Sequence, residues 1–259
     1  MSNENDSIRR TGTREWAEKT INCVNGCKHD CRYCYARWYA VDRYARMSMD
    51  EWKDMKVRDK DVRKGYKKYD GVVMFPSTHD ITPEVTGPCL LVLEKLLNHG
   101  NEVLLVSKPH IEVIKEIVSR FAWATDQLRF RFTIGAVSDD VLGYWEPGAP
   151  KFMERRSALK IAHFAGFKTS ISAEPLLDPA DVKRLFALLS PFVNWEFWIG
   201  KLNKAESRVK LDDGDRTMLD KLLAWQTDER VMEIYDTFKN ESLIRWKDSY
   251  KEVIERSGK

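Results

Sequence analysis

The chain has 259 residues, of which 43% are hydrophobic and 32% charged, with a net charge of only +3. That is enough apolar material for a core in one large or two small domains, and too much for a disordered chain. The charge balance excludes a globally basic nucleic-acid binder, although a local patch remains open. No apolar run approaches the ~18 residues that span a bilayer.

The first sixteen residues, MSNENDSIRRTGTREW, are polar and lack the apolar core of a signal peptide, so the cytoplasm is the expected compartment. Five cysteines are present, and four lie between Cys23 and Cys34. In a reducing compartment such a cluster points to metal or redox chemistry rather than to disulfides.

Short apolar runs with Gly or Pro at their ends predict strands at 19–23, 71–75 (GVVMF), 102–107 (EVLLVS), 128–137, 167–173 and 195–200 (WEFWIG). Helical patterns intervene at 33–47, 89–98, 110–121, 150–165 and 179–189. This alternation predicts parallel strands with crossover helices, compatible with an open (β/α) barrel or a flat doubly wound sheet. Residues 48–69 form a charge-dense, mostly basic insertion, read as a solvated helix face or a partner-binding surface. After Gly200 the pattern becomes purely helical: 217–225, 228–239 and 241–255, opened by a turn and cap at 212–215. The expected division is therefore a polar segment 1–18, a barrel 19–201 and a C-terminal helical extension 202–259.

The cysteine spacing narrows the chemistry. Cys27, Cys31 and Cys34 form CxxxCxxC, while no second cysteine or histidine pair follows to complete an ordinary structural zinc site. Three thiolates on one loop suit an iron–sulfur cluster, and three ligands on four irons leave one iron open. A zinc site from the four clustered cysteines remains the alternative.

The stretch CVNGCKHDCRYCYAR resembles the radical S-adenosylmethionine (SAM) superfamily. Asn22, Gly26, Cys27, His29, Cys31, Tyr33, Cys34, Tyr35, Ala36 and Arg37 resemble the N-x-x-x-G-C-x-H-x-C-x-Y-C-Y-A-R signature of its spore photoproduct lyase-like branch. FPSTHDITPE (75–84), LLVSKPH (104–110) and the segment 145–178 extend the likeness over 19–201.

The resemblance implies a partial (β/α)6 barrel of the TIM type, α/β in class. It implies a 4Fe-4S cluster on Cys27, Cys31 and Cys34, and SAM on the open iron, cleaved to a 5′-deoxyadenosyl radical that abstracts hydrogen from a substrate. Thr78, His79 and Asp80 fall where the SAM amino group is expected, Lys108 where its carboxylate or ribose is met, and Thr133 where the ribose is. Glu174 and Lys201, at the ends of later strands, complete the candidates and face the substrate. Arg37 is expected beside the cluster. The implied partners are a reducing protein such as flavodoxin or ferredoxin and a substrate that includes nucleic acid among its candidates, with no membrane and a monomeric chain. A non-catalytic zinc- or iron–sulfur-binding protein for nucleic acid is the rival reading.

One position departs from the branch. Where the lyases carry a hydrogen-donating cysteine three residues before the Asp, this chain has Ser77. A hydroxyl O–H bond is too strong to replace a thiol, so the resemblance stops short of thymine-dimer repair by that route. Cys23, where the branch often has Pro, is expected to be a buried or cluster-adjacent thiol, and Cys89 a core residue.

Overall fold

The computed structural model describes residues 11–211 and 216–258. The turn expected at 212–215 and most of the polar N-terminal segment lie outside them. Seven strands form one wholly parallel sheet: β1 (Lys19–Thr20), β4 (Val72–Met74), β5 (Glu102–Ser107), β6 (Leu128–Thr133), β7 (Lys168–Ala173), β8 (Phe197–Ile199) and β9 (Ile244–Trp246), neighbouring one another in that order. A two-stranded antiparallel ribbon, β2 (Val24–Asn25) with β3 (Lys56–Val57), stands apart. This is the partial TIM-type barrel that the resemblance implies, with seven strands rather than six.

The strand runs look continuously apolar because both faces are covered, as parallel sheets with crossover helices require. Alternate residues divide between the two faces. Val73, Val103, Leu105, Phe130, Phe132, Ile171, Phe197 and Ile199 join the main core beneath the helices. The other set (Met74, Leu104, Arg131, Ser172 and Trp198) faces the barrel interior, where Met74 and Leu104 pack with Ala17. Trp16 packs against this set, with the Arg131 guanidinium 4.7 Å from its ring and Lys247 Nζ 4.1 Å from it.

Two expectations change. The stretch after Gly200 is not purely helical: residues 244–246 form β9, parallel to β8, with the Phe197 N–H donating to Leu243 O at 2.8 Å. A three-residue strand with one buried apolar side chain, Ile244, leaves almost no period-2 signal inside a helix-like window. The basic stretch 48–69 keeps most of its charged side chains in solvent, as a solvated face does, but it is not one continuous helix. It folds as two short helices, Met49–Lys53 and Asp59–Arg63, around β3, and buries Trp52, Met55 and Tyr66. Its cations are largely paired: Lys53 with Asp30 at 2.9 Å, Arg58 with Asp61 at 2.9 Å, Arg63 with Asp59 at 3.1 Å.

Candidate active site

The ends of the parallel strands deliver their last inward residues to one cavity of about 480 Å³. Its lining includes Cys27, Cys31 and Cys34, and also Thr78, His79, Asp80, Lys108, Thr133, Glu174 and Lys201. All ten positions singled out in the sequence therefore share one space, at the C-terminal edge where barrel sites gather.

The cysteine loop is held from several sides. Gly26, at φ +90°, lets the loop pass so close to the short helix Met49–Lys53 that a Cβ there would sit 2.1 Å from Trp52 O, which accepts the Cys27 N–H at 2.8 Å. Asn22 fixes the facing turn: its Oδ1 accepts the N–H groups of Ser77 (2.7 Å) and Thr78 (2.9 Å), and its Nδ2 donates to Ser77 Oγ at 3.0 Å. Tyr35 donates to Ser77 O at 2.6 Å. The Phe75–Pro76 and Glu174–Pro175 peptides, both at strand ends that meet the cavity, are cis.

Tyr33 is tied to the opposite wall. Its hydroxyl donates to Glu146, whose carboxylate pairs with Arg155 at 2.5 Å, both side chains fully buried. Arg155 also donates to Pro150 O at 2.6 Å and to Thr133 O at 3.2 Å, which joins the cysteine loop to the end of β6. Glu146 and Arg155 lie in the E-P-x-A-P…R segment of the resemblance, yet sequence alone does not pair them.

Asp80 organises a second network. It accepts from His29 Nδ1–H at 2.9 Å, Ser107 Oγ at 2.8 Å and the Lys108 N–H at 2.7 Å, with Lys108 Nζ at 3.7 Å. Burial alone would raise its pKa, but Lys108 and His29 outweigh it and hold the carboxyl well below the usual range. His29 Nε2 meets His110 Nε2 at 2.9 Å, so one proton is shared across that contact.

Two candidates are turned differently from the simplest expectation. The His79 ring points to Cys23, accepting its N–H at 3.3 Å, and donates from Nδ1 to Asp80 O at 3.0 Å. The Arg37 guanidinium engages Asp42 (3.0 Å) and Arg208 O (3.0 Å), and only its backbone N–H reaches Cys34 Sγ, at 3.4 Å. Lys201 Nζ donates to Gln226 O at 3.3 Å. Glu174 meets Lys247 at 3.3 Å, an approach that depends on Gly200, whose Cβ would fall 2.9 Å from Lys247 Cγ. Burial nevertheless pushes the Glu174 carboxyl up to about 7 against that lysine's pull. Lys247, on the segment after β9, carried no signal in the sequence.

The donor set fits a thiolate-bound cluster. Cys27, Cys31 and Cys34 face one cavity as free thiols, and among the described residues all cysteines are unbridged. Burial pushes Cys27 up to about 12 and raises Cys31 and Cys34, so these thiols stay protonated until a metal displaces the protons. Backbone N–H groups of Arg37 and Ala36 near Cys34, and of Asp80 and His29 near Cys27, oppose that rise, as they would stabilise thiolate charge.

No protein-family model and no curated protein matches the chain. Solved structures do. A spore photoproduct lyase complexed with dinucleoside spore photoproduct aligns with a TM-score of 0.57 at 16% identity, over 93% of this chain and 79% of that one. The fold is that of spore photoproduct lyase. An alanine-for-cysteine mutant of the lyase, also with dinucleoside spore photoproduct, aligns with a TM-score of 0.58 at 17% identity over the same shares. The likeness therefore extends beyond residues 19–201. Among the described residues no helix is long and apolar enough to cross a membrane.

Proposed function

We propose that the protein is a radical SAM enzyme, with a 4Fe-4S cluster on Cys27, Cys31 and Cys34 and SAM beside it in the same cavity. The observation that carries this reading is the convergence of the CxxxCxxC thiols with Asp80, Lys108 and Thr133, which come from three different strand ends. When bound, the cluster supplies the open iron for SAM and the electron that splits it into methionine and a 5′-deoxyadenosyl radical.

The chain's own residues bind, orient and exclude water. Lys108, mostly buried and paired to Asp80, offers its ammonium to the SAM carboxylate or ribose. Asp80 gives its oxygens to His29, Ser107 and the Lys108 N–H, which keeps the end of β5 in place, and leaves remaining lone-pair capacity for the SAM ammonium. Thr78 belongs to the turn that Asn22 holds, and Thr133 offers a hydroxyl to the ribose. Glu174, titrating near neutrality, offers the substrate a carboxyl that can donate or accept. Ser77 holds a hydroxyl where the lyases hold their donor thiol, so the product hydrogen has another source in this reading.

A nucleic-acid substrate is favoured by one surface. Immediately after the cysteine loop, Tyr39 stacks on Tyr44 at 5.8 Å, Trp38 packs edge-on to Tyr39, and the Arg43 and Arg46 guanidinium groups lie over Tyr44 at 5.6 and 4.8 Å. Tyr39 and Tyr44 are among the few exposed large aromatics. Exposed rings backed by guanidinium groups are what base stacking and phosphate contact need. The basic stretch 48–69, with its paired cations, supplies less.

The test is spectroscopic. After anaerobic reconstitution and reduction, the cluster's electron paramagnetic resonance signal is expected to change when SAM is added. A full cluster signal that SAM leaves unaltered contradicts the reading. A colourless protein that binds nucleic acid supports the non-catalytic alternative.

A further inference from the structure

We infer that Cys23, His79 and Cys89 form a second metal site, a buried three-ligand Cys2His site for zinc or a similar divalent ion, separate from the cysteine triplet. The three side chains come from the segment after β1, the turn after β4 and the helix Thr86–Asn98. All are buried, and their Sγ and Nε2 atoms lie within 4.8 Å of one another.

Three geometric facts point to a metal. First, the two sulfurs are 3.6 Å apart. That is far beyond the ~2.05 Å of a disulfide, but close to the ~3.8 Å separation of two thiolates on one tetrahedral zinc with Zn–S bonds of ~2.3 Å. Second, His79 donates Nδ1–H to the Asp80 carbonyl at 3.0 Å. This fixes the tautomer and leaves Nε2 with its lone pair on the Cys23 side of the ring, the usual arrangement of a ligating histidine. That lone pair meets the Cys23 N–H at a long 3.3 Å, a contact that a bound ion would replace. Third, all three side chains are buried, where a metal ion is a stronger partner for an imidazole and two thiols than the long contacts they make with one another.

Binding of a divalent ion displaces the thiol protons of Cys23 and Cys89 to solvent, and the ion's two charges are matched by two thiolates. The centre would staple together three segments that carry the cavity: the approach to the cysteine loop, the 77–80 turn and the crossover helix after it. Because Cys23 stands where the lyase-like branch often has Pro, the site is a property of this chain.

The test uses the full chain. Purified protein with reconstituted cluster is expected to retain about one zinc per chain in addition to its iron. A variant with Cys27, Cys31 and Cys34 all changed to Ala is expected to bind about one equivalent of Co2+ with thiolate charge-transfer and tetrahedral bands. Those bands should be lost on further substitution by Cys89→Ser, and weakened or shifted by the milder His79→Gln. Absence of bound zinc and of cobalt bands in both proteins overturns the inference. So does cobalt binding that Cys89→Ser leaves intact, or a Cys23–Cys89 disulfide recovered by mass spectrometry from freshly purified protein. A failure of SAM chemistry leaves these readouts unaffected.

Discussion

Arg155 and Glu146 face one another at 2.5 Å with both side chains fully buried, and the Tyr33 hydroxyl completes the Glu146 carboxylate. Removing one partner from such a pair strands a charge in the interior, which costs far more than the pair itself contributes. Arg155→Ala is therefore expected to destabilise the fold by about 3–5 kcal/mol, read as a shift of the urea midpoint. Tyr33→Phe removes only one hydrogen bond and should cost about 1–3 kcal/mol. A midpoint unchanged in Arg155→Ala would show that this wiring does not hold the cysteine loop.

Asn22 offers a second structural test. It satisfies two backbone N–H groups of the 77–78 turn, so Asn22→Ala leaves both without that acceptor. The expected loss is about 1–3 kcal/mol. Weaker SAM binding by calorimetry should accompany it, because Thr78 and Ser77 line the cavity. Asn22→Asp keeps the acceptor oxygens and should recover most of the stability.

The Glu174 carboxyl gives a signed pH dependence. Its pKa rises in the folded state to about 7, so between the ordinary carboxylate value and neutrality the folded chain holds a proton that the unfolded chain has released. Stability must then fall as pH rises through that window. Glu174→Gln cannot titrate. Wild type should lose stability relative to this variant between about pH 5 and about pH 8, measured by denaturant midpoints. Parallel curves for the two proteins would contradict the shift.

The aromatic surface makes a binding prediction. Tyr44→Ala removes a ring that two arginines cover, and base stacking on such a ring contributes about 1–3 kcal/mol. Single-stranded oligonucleotide affinity is expected to fall by roughly fivefold or more, with a fluorescence anisotropy readout. Arg43→Ala and Arg46→Ala together should flatten the salt dependence, since each contact with a phosphate releases counterions. Unchanged affinity in all three would remove this face as the substrate platform.

Much of the site was legible in the sequence because it sits at strand ends. Lys108 and Glu174 each follow an apolar run and Thr133 lies within one, and parallel strands buried on both faces announce themselves as such runs. The cysteine spacing marked the candidate cluster loop in the same way. What stayed hidden were pairings across long separations. Tyr33 and Glu146 are 113 residues apart, and no local period links them. Lys247 meets Glu15 and Glu174 only because Ile244–Trp246 adds a seventh strand, and that strand is too short to disturb a helical pattern. The inward turn of His79 toward Cys23 was likewise invisible, because it depends on the 75–80 turn and not on its spacing.

The central claim is that three thiols of the cysteine loop mount a cluster that cleaves SAM. Its most direct test is 5′-deoxyadenosine formation by anaerobically reconstituted protein with SAM and dithionite, compared with Cys31→Ala. Reductant-dependent 5′-deoxyadenosine from wild type and none from Cys31→Ala is the predicted result. No product from a wild type that carries its full cluster, with an oligonucleotide substrate present or absent, would contradict the account, as would equal product from Cys31→Ala.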